Sequence, residues 1–119
     1  MKTSTLALAA ACCLYSGAAF AHAHLRAETP AADTSAQAPT RLTLSFSEGL
    51  ELSLFAVVLK TSEGAAVATG DVALEPRNDK TLVVPVATKL SPGAYTVEWH
   101  ALSKDGHSTH GTYQFKVLP

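Results

Sequence analysis

From residue 40 onward the chain alternates apolar and polar positions with a period of two. Leu42, Leu44 and Phe46 are interleaved with Thr43 and Ser45, and Tyr95, Val97, Trp99 and Ala101 with Thr96, Glu98 and His100. Tyr113, Phe115 and Val117 repeat the pattern near the end. Successive side chains of an extended chain point to opposite faces, so each run reads as a strand with one covered and one wet face. Shorter apolar runs predict further strands at about Leu25 to Glu28, Leu54 to Leu59, Val72 to Leu74 and Leu82 to Val86. Pro85, with no N–H to give a ladder, marks an edge or a bulge. Glu63-Gly64, Thr69-Gly70-Asp71 and Ser91-Pro92-Gly93 read as turns, and Pro30 to Pro39, rich in Ala, Ser, Thr and Asp, as a loop. No stretch shows a helical period. About seven short strands in roughly 100 residues fit an all-β domain, a two-sheet antiparallel sandwich or small Greek-key barrel, with Tyr95 and Trp99 in its core.

The start of the chain follows another pattern. Lys2 precedes an apolar run from Leu6 to Leu14, and Ala19-Phe20-Ala21 offers small residues at the two positions a signal peptidase reads. This is the layout of a secretory signal peptide, residues 1–21, cut after Ala21; the run is shorter than the ~20 apolar residues that span a bilayer. Ala10-Ala11-Cys12 faintly resembles a lipoprotein site that would lipidate Cys12, but its apolar lead is short and has no Leu three residues before the cysteine. Cleavage after Ala21 leaves residues 22–119 as one periplasmic domain. It removes Cys12, Cys13 and Met1, the sulfur-bearing residues of the sequence, so neither a disulfide nor a thiolate or thioether ligand remains. Losing Lys2 takes the formal charge from −1 to −2. That balance gives no basic patch for nucleic acid and no polybasic stripe for a membrane surface. A monomer without membrane insertion is expected.

The cut also makes His22 the first residue. An N-terminal histidine offers its α-amine and imidazole Nδ1 to one metal ion, and the chelate loses less freedom per bond than two separate ligands. Nitrogen donors in a tetragonal arrangement suit Cu(II), which heads the divalent affinity order. A second cluster, Ser103-Lys104-Asp105-Gly106-His107-Ser108-Thr109-His110-Gly111, falls between the last two predicted strands and reads as a loop on a rigid frame. Gly106 lets the backbone curl so that Asp105 and His107 point at one ion. Taken alone, Asp105-Gly106 is more simply a hairpin turn; the histidine at the new N-terminus changes that balance. If the first strand and the final hairpin lie side by side, His22, Asp105 and His107 supply three nitrogens and one oxygen. His24 shares a strand face with His22 and is a secondary candidate ligand, as is His110, three residues past His107. His100 falls on the polar face of its strand, where solvation is expected, and Glu28 is a candidate to orient a ligand.

Several segments together resemble the CopC family of periplasmic copper-resistance proteins. They are His22-Ala23-His24-Leu25, Glu28-Thr29-Pro30-Ala31, Leu44-Ser45-Phe46-Ser47, Gly93-Ala94-Tyr95-Thr96-Val97-Glu98-Trp99, Ser103-Lys104-Asp105-Gly106-His107 and Gly111-Thr112-Tyr113-Gln114-Phe115. The resemblance covers nearly all of residues 22–119. It implies an immunoglobulin-like Greek-key sandwich or barrel and one Cu(II) ion per chain, held by His22, Asp105 and His107. It also implies a carrier or buffer in copper homeostasis, with a CopD-like inner-membrane transporter as delivery partner. Some members carry a Met-rich Cu(I) site; residues 60–70 hold no Met, so that site is not expected here. His100 and His110 are unusual for the family and are candidates for additional weak ligands.

Two other classes compete. N-terminal-histidine copper also serves polysaccharide monooxygenases, but those need an open copper position and a broad substrate surface, which a domain this small with Asp105 in an equatorial position does not offer. An immunoglobulin-like binding module without metal would leave the histidines incidental. The expectation is a binding protein, not an enzyme.

Overall fold

The computed structural model describes residues 24–119. The expected signal peptide and His22 lie outside the described residues. Among these, nine strands occur: β1 (Leu25–Thr29), β2 (Ser35–Ala36), β3 (Arg41–Phe46), β4 (Ala56–Thr61), β5 (Ala66–Val67), β6 (Ala73–Glu75), β7 (Asn78–Pro85), β8 (Gly93–Leu102) and β9 (Ser108–Val117). A 3-10 turn, Leu52–Leu54, precedes β4. The strands form a four-stranded sheet in the order β1-β3-β7-β6 and a five-stranded sheet in the order β2-β9-β8-β4-β5. This is the expected all-β sandwich.

The core lies where the alternation put it. Leu42, Leu44 and Phe46 of β3 and Leu82 and Val84 of β7 are buried from one sheet. Leu59 of β4, Tyr95, Val97, Trp99 and Ala101 of β8, and Tyr113, Phe115 and Val117 of β9 are buried from the other. Phe46 meets Trp99 edge to face, with centroids 5.1 Å apart. Such a pair contributes about 0.5–1.5 kcal/mol beyond its buried area, and this one ties the two sheets together near one end. Trp99 also lies against Gly111, its partner in the β8–β9 register; a Cβ on Gly111 would come within 2.8 Å of the indole. At the opposite end, the Tyr95 hydroxyl donates to the Ser91 carbonyl at 2.7 Å, a tyrosine corner of the kind that braces sandwich loops.

The structure corrects six local expectations. Within Pro30 to Pro39, the two residues of β2 pair in parallel with Lys116 and Val117, so the sheets are not wholly antiparallel. The expected strand from Leu54 starts instead at Ala56, because the 3-10 turn leaves Leu54 62% exposed. β7 begins at Asn78, four residues before its apolar stretch. Pro85 ends β7, which lies inside its sheet, so the proline marks neither an edge strand nor a bulge. The stretch Ser103 to Gly111 is only half a loop, since β9 starts at Ser108. β1 and the β8–β9 hairpin belong to opposite sheets rather than lying as neighbours in one.

Candidate metal centre

β8 and β9 join through a three-residue loop, Lys104-Asp105-Gly106. The Gly106 N–H donates to the Ser103 carbonyl at 2.9 Å, and the Ser103 N–H donates to the His107 carbonyl at 3.0 Å. Gly106 has φ +94°. This is a type I turn closed by a glycine bulge, a common three-residue hairpin that requires the left-handed conformation glycine adopts without strain.

The turn aims its side chains inward on themselves. Ser103 is buried, and its hydroxyl donates to Asp105 Oδ1. The same oxygen accepts the His107 N–H at 3.2 Å and lies 3.2 Å from His107 Nδ1. The Ser103 hydroxyl holds the Asp105 carboxyl below its ordinary value; desolvation opposes it, and the backbone N–H and imidazole of His107 add smaller contributions in the lowering direction. A carboxylate and an imidazole are thus gathered with accessible side chains, 38% and 54% exposed, at the tip of a rigid hairpin. Among the described residues these two are a pair, and no three His, Cys, Asp or Glu side chains converge as a metal cage.

The opposite sheet reaches this tip through the segment after β3. The Ser47 N–H donates to the His24 carbonyl at 2.9 Å, and the His24 N–H donates to Ser47 Oγ at 2.9 Å, extending the β1–β3 pairing by one row. Two residues on, the Lys104 N–H donates to the Gly49 carbonyl at 3.0 Å, and Leu50 bridges Ser103. The Lys104 ammonium binds Asp79 Oδ2 at 2.6 Å, across Gly49. The first described residue is therefore tied, through Ser47 to Leu50, to the hairpin that carries Asp105 and His107.

The other sequence candidates fall elsewhere. His110 stands three rows down the hairpin from His107, about 10 Å along the strands. Its side chain is exposed on the outer face, whereas His107 shares the row of buried Ser103. His100 is exposed, as expected. Glu28 accepts the Ala32 N–H at 2.8 Å and so organises the loop after β1. Sequence reasoning missed Ser103 as the group that fixes Asp105. The signal was present: a hydroxyl residue one position before the turn, on the inward face of a strand.

This sandwich, with its Asp-Gly-His hairpin, is a CopC domain, and the chain belongs to the CopC family, whose domain matches residues 25–118. It is 40% identical over 99 residues to Protein YobA of Escherichia coli K12, across 82% of this chain and 80% of that protein. It is 34% identical to Copper resistance protein C of Pseudomonas syringae pv. tomato, across 98% and 96%. The crystal structure of CopC from Methylosinus trichosporium OB3b superposes with a TM-score of 0.77 at 29% identity, covering 82% of this chain and 95% of that one.

Proposed function

We propose that this protein is a periplasmic Cu(II) carrier or buffer in copper homeostasis, exported by its first 21 residues and processed after Ala21. One Cu(II) ion binds the α-amine and imidazole of His22 together with Asp105 and His107. The observation that carries this reading is the hairpin itself: Ser103 and Gly106 hold a carboxylate and an imidazole 3.2 Å apart on the side of the fold to which His24 is tied. Two extended residues span about 7 Å, and this reading requires His22 to cover the gap between His24 and the hairpin tip. Names of relatives such as Copper resistance protein C support copper as the cargo.

The donor set is nitrogen and oxygen, which favours Cu(II) over Cu(I). A site of this kind holds and releases an ion and does no chemistry on it. The protein acts as a monomer and hands copper to a CopD-like inner-membrane transporter. The test is a Cu(II) titration of protein beginning at His22, read by EPR. One tight equivalent with a tetragonal nitrogen-oxygen spectrum is expected. Absence of a first tight equivalent, or Cu(I) held as tightly as by thiolate or thioether ligands, contradicts it.

A further inference from the structure

His100 and His110 are directly opposite one another across β8 and β9. Their rings lie 5.6 Å apart between centroids, tilted by 35°. The row they occupy follows from the turn. Ser103 and His107 form a hydrogen-bonded pair, and hydrogen-bonded and non-hydrogen-bonded rows alternate along an antiparallel ladder. Three rows on, His100 and His110 are a non-hydrogen-bonded pair, the kind in which Cα atoms approach to about 4.5 Å and side chains stand closest. Both side chains project from the outer face, since Trp99, Ala101 and Ser103 take the inner one.

We propose that His100 and His110 form a second, exchangeable site for a divalent transition-metal ion, separate from the Asp105–His107 hairpin tip. Imidazole nitrogen is a ligand for Zn(II), Cu(II) and Ni(II). At a metal–nitrogen distance of about 2.1 Å, an ion on a ring's lone pair lies about 3.2 Å from the ring centre, so two rings about 90° to 120° apart at the ion have centres about 4.5 to 5.6 Å apart. The observed separation falls at the upper end of that range, and the chelate forms when rotation about the side-chain bonds turns one nitrogen of each ring toward a shared ion. Water completes the shell. Glu98, two residues before His100 on the same face, is already paired with Lys60 at 3.1 Å and is not required. Ala56, opposite His100 on the other flank, is too small to block an ion.

Because both ligands sit on one rigid hairpin, the second imidazole is already local when the first binds, and loss of either removes the chelate. The two sites separate experimentally because neither shares a side chain with the other. The experiment is a Zn(II) titration followed by NMR of the histidine side chains, with amide spectra confirming the fold. It uses protein beginning at His22, its His100→Ala and His110→Ala variants, and the double variant Asp105→Ala, His107→Ala. The His100 and His110 signals are expected to move together with one saturation curve. Either single substitution should weaken that event at least tenfold, and the hairpin-tip double variant should leave it within about twofold. An affinity undiminished by His100→Ala or His110→Ala, or an outer-face response that disappears with Asp105 and His107, overturns the proposal. Failure here leaves the Cu(II) site at the tip unaffected, since that is read separately in the double variant.

Discussion

Two hairpin turns in this protein share one backbone. Ser62-Glu63-Gly64 joins β4 to β5, and Lys104-Asp105-Gly106 joins β8 to β9. In the first, the Gly64 N–H donates to the Thr61 carbonyl and the Thr61 N–H to the Ala65 carbonyl, both at 2.9 Å; the second repeats these bonds at 2.9 and 3.0 Å. Gly64 has φ +88° and Gly106 +94°. Since Thr61 faces Tyr95 on β8, the turns lie at opposite ends of the five-stranded sheet, about 27 Å apart. What differs is the chemistry attached. Thr61 is only partly buried and its Oγ1 accepts the Ala65 N–H, closing the turn. Ser103 is buried and its hydroxyl turns instead to Asp105, and the residue after the glycine is His107 rather than Ala65. An acid followed by glycine therefore specifies the bend, while the inward hydroxyl before it and the histidine after it give the bend something to hold.

The comparison breaks most visibly in copper affinity. Asp105→Ala and His107→Ala should each weaken Cu(II) binding at least about 100-fold, beyond the loss typical of removing a group that only orients a ligand, and should change the EPR spectrum. Glu63→Ala at the other turn should change neither. At one equivalent of Cu(II), His100→Ala should also leave the spectrum unchanged. A loop variant with wild-type affinity would reduce the second turn to the status of the first.

Stability sharpens the same contrast. Ser103→Ala removes the main donor to the solvated carboxylate of Asp105 and leaves a gap at a buried position, so a larger loss than at the other turn is expected in denaturant unfolding. Thr61→Ala should cost only a few tenths, because water replaces an exposed bond. The same Ser103 substitution has a pH signature. The Asp105 carboxyl is depressed below 3.8, chiefly by the Ser103 hydroxyl, so its contribution to stability is complete above that value and is lost as pH falls through the lower folded one. An NMR titration of the metal-free protein should place its midpoint below 3.8, and Ser103→Ala should raise it. One further effect is shared by both turns. Gly64→Ala and Gly106→Ala should each destabilise by about 1–2 kcal/mol, the cost of a side chain in the left-handed region, and only Gly106→Ala should also lower copper affinity.

Much of this fold is legible because burial follows alternation. Leu42, Leu44 and Phe46, the Tyr95 to Ala101 set, and Tyr113, Phe115 and Val117 are all core residues, so the strands that build it announce themselves. The pieces that escaped are held by backbone alone or by polar side chains. β2 pairs through main-chain groups inside a segment of small residues, and Asn78 to Lys80 extend β7 with no apolar position to mark them. Leu54 misleads in the opposite direction, being apolar and exposed on the 3-10 turn. At the site, Asp105-Gly106-His107 was visible as a motif. The facing of His100 and His110 needs the register, which depends on the turn holding three residues rather than two. A one-residue slip would pair His100 elsewhere and place the two rings on different rows.

The central claim is that copper is held by the α-amine of His22 as well as by side chains. Adding one glycine before His22 turns that amine into a planar amide whose nitrogen lone pair is delocalised, while leaving the imidazole, Asp105 and His107 in place. Among the described residues, only Leu25, at the margin of the core, comes from that end of the chain, so folding should be unchanged. The decisive measurement is a paired Cu(II) titration with EPR of protein beginning at His22 and protein beginning Gly-His22. The account predicts a large loss of affinity and a changed spectrum in the extended protein. Equal affinity and equal EPR parameters would show that the amine is not a ligand and would contradict it.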